Sequence, residues 1–595
     1  MARPLPARRH LFLFMLTRLR PLKPYLARYA KRYVAGFATL IITQAVGVTV
    51  PLIIKAGIDG IAQGAAARKL LSCAALLVGV ALVKAIFLFW MRWILIGISR
   101  DVEYDLRNDL FAHLMRLSPR FYTETRTGDL MSKLTNDLNA VRNLVGPGIM
   151  YSASTVVAGI ATIGLMAHLD WRLTVLALFP MPLVSILVKI FGKRIHDRFE
   201  RIQAMYSEMT ERVRENLSGV RVIRAFCQEE SEMAEFDRMN QEFVEKNKRL
   251  IWISSFLWPA LALLFSIAFM LILVVGGRHV LAGRISLGTF AAFNVYLMYL
   301  IWPIIALGWV VNLFERGLAS LDRLWTIFRA QPEIDDRHVP PNPVRSIEGE
   351  IEFRDLTFSY NGKPVLKNLN LHITAGRSVA LVGATGSGKS TLVSLIPRLY
   401  DAPPGTLLID GVPVQQIPLQ VLRQHIGFVP QETFLFSETI RENVKFGAPD
   451  ATDAQVQEAT DVSNILPEIR GFPQGFDTMV GERGLTLSGG QKQRTAISRA
   501  VIRNPKILIL DDALSSVDTG TEEKILGHLT GVMAGRTTIL ISHRVSTIRN
   551  ADEILVLHDG EIVERGTHEE LLALNGHYTE LYNRQLIEEE LESEA

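Results

Sequence analysis

The chain has 595 residues, several times the size of an ordinary domain, so at least two separately cored units are expected. Hydrophobic residues make up 49% and the mean hydropathy is +0.21, high for a soluble protein yet low for one embedded in a membrane throughout, so a mixed chain fits better. The formal net charge is only +4, and the two cysteines, Cys73 in an apolar stretch and Cys227 in a charged one, suggest neither a disulfide framework nor a metal site and fit soluble parts kept in reducing cytosol.

Residues 1–32 carry nine Lys or Arg between Arg3 and Arg32, whereas the first acidic residue is Asp59. That bias predicts a cytoplasmic N-terminus under the positive-inside rule. The basic residues are interleaved with apolar ones and lead straight into a hydrophobic span, which points to a helix at the membrane interface and away from nucleic acid. The apolar run His10 to Leu16 is short for a signal-peptide core and no small-residue cleavage site follows it, so no cleavage is expected.

Residues 33–329 read as six membrane spans: Tyr33 to Ile54, Leu70 to Ile98, Met150 to Leu169, Arg172 to Ile190, Ile251 to Val275 and Leu287 to Val311. The third and fourth are joined by a turn at Asp170 and Trp171, and the segment Gly276 to Ser286 separates the last two. An even number of spans returns the C-terminus to the cytosol. The long charged stretches after spans two and four show helical spacing, as in Asp101 to Arg116 and Arg198 to Leu217, so the spans are expected to continue as helices into the cytoplasm. Ser118, Pro119 and Gly128 mark one hairpin tip, and Ser218 and Gly219, followed by Val220 to Phe226, mark the other.

Residues 330–347, with Pro332, Pro340, Pro341 and Pro343, read as a linker. From 348 to 585 apolar strands alternate with amphipathic helices, the pattern of an α/β domain with a largely parallel core sheet. The acidic tail 586–595 is expected to fray.

Two motifs carry chemistry. The strand Val379 to Val382 precedes Gly383, Ala384, Thr385, Gly386, Ser387, Gly388, Lys389, Ser390 and Thr391, and a helix-like segment follows. This is a phosphate-binding P-loop: glycines let backbone N–H groups face phosphates, Lys389 reaches the β- and γ-phosphates of ATP, and the Ser390 hydroxyl ligates Mg²⁺. The apolar strand Ile507 to Leu510 ends in Asp511, which suits the Mg²⁺-side carboxylate of such a site.

Leu487-Ser488-Gly489-Gly490-Gln491 resembles the signature of ATP-binding cassette (ABC) proteins. With the six preceding spans, nearly the whole chain resembles a half-size ABC exporter, which implies a six-helix transmembrane domain of the type IV exporter kind fused to an α/β P-loop cassette. The resemblance further implies that Tyr360 stacks on adenine, Gln431 is the Q-loop residue near Mg²⁺, Ser515 to Asp518 form the D-loop, His543 touches the γ-phosphate, and Gly481 to Gly484 match an exporter-specific segment. Two cassettes would meet head to tail, with Ser488, Gly490 and Gln491 of one facing the P-loop of the other, and hairpin tips near Tyr122 and Val222 would transmit closure to the spans.

The chain departs from the family after Asp511, where Asp512 stands in place of the usual catalytic Glu. The shorter side chain predicts slow hydrolysis at this chain's own site. The combination resembles one subunit of bacterial heterodimeric multidrug exporters, in which a second half-transporter supplies the Glu; a slow homodimer and an ATP-gated channel or regulator are the alternatives. The resemblance places the protein in a bacterial inner membrane, exporting amphipathic drugs or lipids. Lys84, inside span two with no acidic residue in any span, either attracts an anionic substrate, snorkels to the inner interface or pairs with a partner chain. Phe293, Met298, Tyr299 and Trp302 on span six either line a cavity or pack the bundle.

Overall fold

A computed structural model describes residues 18–594 apart from 65, 482, 483 and 485; the side chains of 304, 305, 307, 519 and 588–594 are outside that description. Arg3, the run His10 to Leu16, and Glu482 and Arg483 of the exporter-like segment therefore lie outside the described residues. The chain forms two compact units, one of Met1–Met115 with Thr127–Ala330 and one of Arg116–Arg126 with Gln331–Ala595.

In the first unit, six helices among the described residues are long and apolar enough to cross a membrane: Ala30–Ala62, Ala67–Leu114, Thr127–Leu169, Trp171–Ser218, Glu229–Leu281 and Leu287–Arg329. The last five run for 43 to 53 residues, well past the roughly 20 that a bilayer needs, so the spans do continue as helices beyond it. The joint between spans three and four is tight because Asp170 caps the following helix, its carboxylate accepting from the N–H groups of Arg172 at 2.8 Å and Leu173 at 3.1 Å. Span five, expected to end at Val275, runs on through a wide turn at Ile272–Gly276 to Leu281 and stops at Gly283, whose φ of +68° reverses the chain.

The described part of the basic N-terminal arm lies along the extension of span two. Arg28 pairs with Asp105 at 2.6 Å, Arg32 pairs with Asp101, and the Tyr25 and Tyr29 hydroxyls donate to Asp109 at 2.7 Å and Asp105 at 3.0 Å. The three carboxylates recur every four residues on one helix face, matching a partner helix with basic and phenolic groups at the same spacing.

At the opposite end of span one, Asp59 accepts from the Ser286 hydroxyl at 2.8 Å and the Gly288 N–H at 2.7 Å. A carboxylate is thus set against the start of span six, where backbone N–H groups are unpaired. The approach is close enough that a Cβ on Gly288 would lie 2.2 Å from the Lys55 carbonyl oxygen.

Among the described residues the second unit contains ten strands: β1 (Ile351–Tyr360), β2 (Lys363–Ile373), β3 (Ser378–Val382), β4 (Leu407–Ile409), β5 (Val412–Pro413), β6 (Ile426–Val429), β7 (Ile507–Asp511), β8 (Thr537–Ile541), β9 (Glu553–His558) and β10 (Glu561–Gly566). β1, β2, β4 and β5 form an antiparallel sheet. The other six are ordered β10-β9-β3-β8-β7-β6, all parallel except the edge strand β10. Fully buried β7, Ile507–Asp511, reads as a continuous apolar run because a parallel sheet is covered on both faces.

Two boundaries differ from expectation. The first hairpin tip, a short helix Pro119–Glu124, groups with the cassette: Arg120 donates to the Asn361 side chain at 2.9 Å and lies 3.6 Å from Glu333. The acidic tail is also helical, Glu588 to Glu594 continuing the helix His577–Glu594, in keeping with the good helix propensity of Glu.

Because no side chain fits at the contact between spans one and six, Gly288→Val is expected to cost about 1–3 kcal/mol by overpacking, read as a lowered thermal denaturation midpoint of the purified protein.

Candidate functional site

The parallel sheet assembles the site by register. Val429 of β6 lies opposite Leu510, Asp511 of β7 opposite Ile541, and Leu381 of β3 opposite Ile541. The residues that follow these strand ends, Gln431, Asp512, His543 and the loop from Gly383, therefore emerge at one edge of the sheet. Carboxyl-terminal edges of parallel strands are where α/β folds bind ligands.

The loop from Gly383 needs its glycines. φ is +146° at Gly383, +87° at Gly386 and +104° at Gly388, values that side chains strain to adopt. A Cβ on Gly383 would approach the Leu557 carbonyl oxygen to 2.1 Å, and one on Gly388 would reach Leu366 at 2.7 Å. Ala384, Thr385 and Gly386 form an exposed rim, while Ser387, Gly388 and Lys389 are buried beneath it. The Lys389 ammonium donates to the carbonyls of Gly383 at 2.8 Å and Ala384 at 3.0 Å, drawing the loop around itself.

Beside it the Ser390 hydroxyl donates to Asp511 at 3.2 Å. Burial lowers the Lys389 pKa and raises that of Asp511, the Ser390 hydrogen bond and the lysine partly opposing the second shift. A hydroxyl and a carboxylate side by side are oxygen donors of the kind Mg²⁺ takes, so this pair fits the ion. Among the described residues no group of three His, Cys, Asp or Glu could hold a metal unaided, so further ligands would have to come from phosphate oxygens, water or Gln431.

Tyr360, at the end of β1, meets Tyr400 edge-on at 5.2 Å and Phe358 at 5.0 Å. Burial raises the pKa of its hydroxyl, which shares hydrogen bonds with Thr391 and Tyr400. The aromatic cluster thus abuts the last residue of the P-loop. Gln431 and His543 are exposed, and Asp512 is half-buried. Asp512 has φ +50°, a left-handed conformation that Asp and Asn tolerate better than longer side chains, and its N–H donates to the Ile541 carbonyl at 2.8 Å.

Ser488 caps the helix Gly489–Val501, its hydroxyl accepting from the Gln491 N–H at 3.2 Å while the Gln491 side chain accepts from the Ser488 N–H at 2.9 Å. Gln491 also donates to Glu468 at 2.7 Å. Among the described residues, no hydrogen bond or ion pair joins Ser488–Gln491 to the P-loop of the same chain, so the structure does not bring these two groups of candidate residues together. Gly489 and Gly490 instead admit the neighbouring loop: a Cβ on Gly490 would lie 2.9 Å from the Ser516 carbonyl oxygen.

Sequence reasoning missed the polar ties behind these residues. Gln493 donates to the Ser515 hydroxyl at 2.9 Å and to the Asp512 carbonyl at 3.4 Å, and accepts from the Ser516 N–H at 2.9 Å. Glu522, 1% exposed, pairs with Arg544, accepts from Ser546 at 3.1 Å and also accepts from the Thr547 hydroxyl. This network pins the segment carrying His543. The C-terminal helix braces the same segment, the Gln585 side chain accepting from the Val545 N–H at 2.8 Å. Buried polar residues on otherwise apolar helix faces were the available signal for Gln493 and Glu522.

Comparison with known proteins agrees with this geometry. The family "ABC transporter transmembrane region" matches residues 33–304, and the family "ABC transporter" matches residues 366–515. The chain is 38% identical over 577 residues to the Bacillus subtilis protein named "Probable multidrug resistance ABC transporter ATP-binding/permease protein YheI", covering 96% of this chain and 98% of the relative. It is 35% identical to the "Multidrug resistance-like ATP-binding protein MdlA" of Escherichia coli, covering 96% of each. Identity is also 35% to the "ATP-dependent lipid A-core flippase" of Syntrophus aciditrophicus, over 95% of this chain and 94% of that one. Among solved structures, a bacterial Atm1-family ABC exporter with ATP bound superposes with a TM-score of 0.77 at 29% identity, covering 94% of this chain and 99% of that one.

Replacing Glu522 by Ala would strand Arg544 and two hydroxyls; a cost of about 3 kcal/mol is expected, measured by chemical denaturation, together with a fall in ATPase activity as the His543 segment loosens.

Proposed function

This chain belongs to the ABC transporter family, as an exporter of the multidrug and lipid type, and on that premise we propose that it is one half of a dimer that moves amphipathic drugs or lipids out of the cytosol or inner leaflet of a bacterial inner membrane, with both termini cytoplasmic. The convergence of P-loop, Asp511, Asp512, Gln431 and His543 on one sheet edge, in a chain with six spans, carries this reading.

In the proposed mechanism the N–H groups from Gly383 to Thr391 hold phosphate oxygens of ATP, Lys389 neutralises the β- and γ-phosphates, and Tyr360 stacks on adenine. Ser390, Asp511 and Gln431 would hold Mg²⁺, which supplies charge neutralisation on the phosphates when bound. Asp512 orients the attacking water and His543 contacts the γ-phosphate. Ser488, Gly490 and Gln491 serve the P-loop of the partner. Binding draws two cassettes together, and hydrolysis releases them; the tip Pro119–Glu124 and the exposed Val222 and Phe226 on the second tip carry that motion to the spans, alternating access between the two sides.

The partner is proposed to be a different half-transporter with Glu at the position of Asp512. The shorter Asp side chain stands back from the water it must orient, and a displacement of about 1 Å costs on the order of 10²-fold in rate. The signature of this chain is well formed and capped, so its contribution to the partner's ATP is unimpaired.

Affinity purification from the native membrane is expected to recover a second half-exporter bearing that Glu; recovery of this chain alone, as an active dimer, would instead establish a homodimer. In vesicles, ATP-driven dye uptake is expected to vanish with Lys389→Ala, while Asp512→Glu raises ATPase activity of the isolated chain by roughly tenfold or more.

A further inference from the structure

Lys84 sits at the centre of span two, about 20 Å along the helix axis from either end of Leu70 to Ile98. It turns toward Gly47, itself in the middle of span one, and a Cβ there would lie 3.3 Å from the Lys84 Nζ. Glycine at this position leaves the room that the lysine end occupies.

Among the described residues Lys84 makes no ion pair and no hydrogen bond; its one polar contact is with the Tyr299 ring, whose centre is 5.9 Å from Nζ. No Asp or Glu occurs in the six apolar stretches read from the sequence, so this chain itself supplies no carboxylate at the same depth. An unmatched cation at mid-membrane is costly to maintain, and such residues are kept where they meet a ligand.

The ammonium borders a cavity of 240 Å³ whose lining includes Gln44, Gly47, Ser154, Tyr299 and Trp302. Gln44 donates to the Ser154 hydroxyl at 2.6 Å across spans one and three. Two prolines add acceptors. Pro51 and Pro303 lack the N–H that would bond the carbonyls four residues earlier, which are those of Gly47 and Tyr299. The cavity therefore offers a cation, an amide–hydroxyl pair and two helix carbonyls without their usual donors, surrounded by apolar and aromatic side chains.

The geometry points to this cavity as a binding site for amphipathic anions, a phosphate or similar oxyanion meeting Lys84 and Gln44 while hydroxyls on the same headgroup donate to the carbonyls of Gly47 and Tyr299. The assignment rests on the export reading above and gives it a substrate class.

Native mass spectrometry of the full-length protein, titrated separately with lysophosphatidic acid, the matching monoacylglycerol and inorganic phosphate, tests it. Lysophosphatidic acid is expected to bind at least tenfold more tightly than monoacylglycerol, and inorganic phosphate not to bind, which separates a lipid headgroup from free phosphate. Lys84→Met should remove that preference, Lys84→Arg should retain it within about threefold, and Gly47→Ala, which crowds the ammonium, should weaken it. Equal binding of the two lipids by the wild type, or an unchanged preference in a folded Lys84→Met variant, would overturn the assignment, as would binding of inorganic phosphate equal to that of lysophosphatidic acid. ATP-driven uptake of rhodamine 6G, a cationic dye, by wild-type protein in inverted vesicles is the separate arm: its presence sustains the export reading whatever the lipid result, and its absence together with absent lipid transport would remove that reading while leaving the binding result to stand or fall by itself.

Discussion

The level register of the parallel strands β3, β8, β7 and β6 is the constraint on which the cassette depends. Because Asp511 and Leu381 both stand opposite Ile541, strand ends far apart in sequence finish in one row. Gly383, Gln431, Asp512 and His543 then have only to occur one or two residues after their strands. A slip of one residue in any of these strands would exchange the side chains packed on the two covered faces and carry its loop away from the row. The apolar clusters on both sheet faces, including Val379, Leu381, Ile509 and Ile541 on one and Ala380, Leu510 and Leu540 on the other, oppose such a slip.

The membrane unit obeys a different rule. Each span must satisfy its own backbone in lipid, so long helices are imposed and variation is confined to places where neighbouring helices can compensate. The prolines at 51, 259 and 303, and the wide turns at Lys133–Asp137, Leu144–Gly148 and Ile272–Gly276, interrupt otherwise continuous helices. Close approach is achieved by glycine, as where Gly317 meets Leu144 and Gly146 meets Ser99. At the extension of span two, the described part of the N-terminal arm and the helix neutralise one another.

Much of this was legible in sequence because the informative signals are local. Six largely apolar stretches, a glycine-rich loop between strand and helix, and a signature before a helix each fit within 29 residues. What escaped was long-range pairing. The pairing of the basic arm could not be read, since nothing near Arg28 or Arg32 announces Asp101 and Asp105 some 70 residues later. The hairpin tip read as part of the span domain because its attachment rests on Asn361 and Glu333. Gln493 and Glu522 looked like ordinary polar helix residues, and only packing reveals that one is 5% and the other 1% exposed.

Gln493 has one further consequence. Its amide touches both the Asp512 backbone and the loop packed beneath Gly489 and Gly490, so the group that would act on one chain's nucleotide and the group that would close over the other's are separated by a single side chain. In a head-to-tail pair these links join into a closed circuit: P-loop site to signature across the seam, signature to Asp512 through Gln493, and back across the seam again. In the dimer proposed above, Gln493 would let the state of one site be felt at the other.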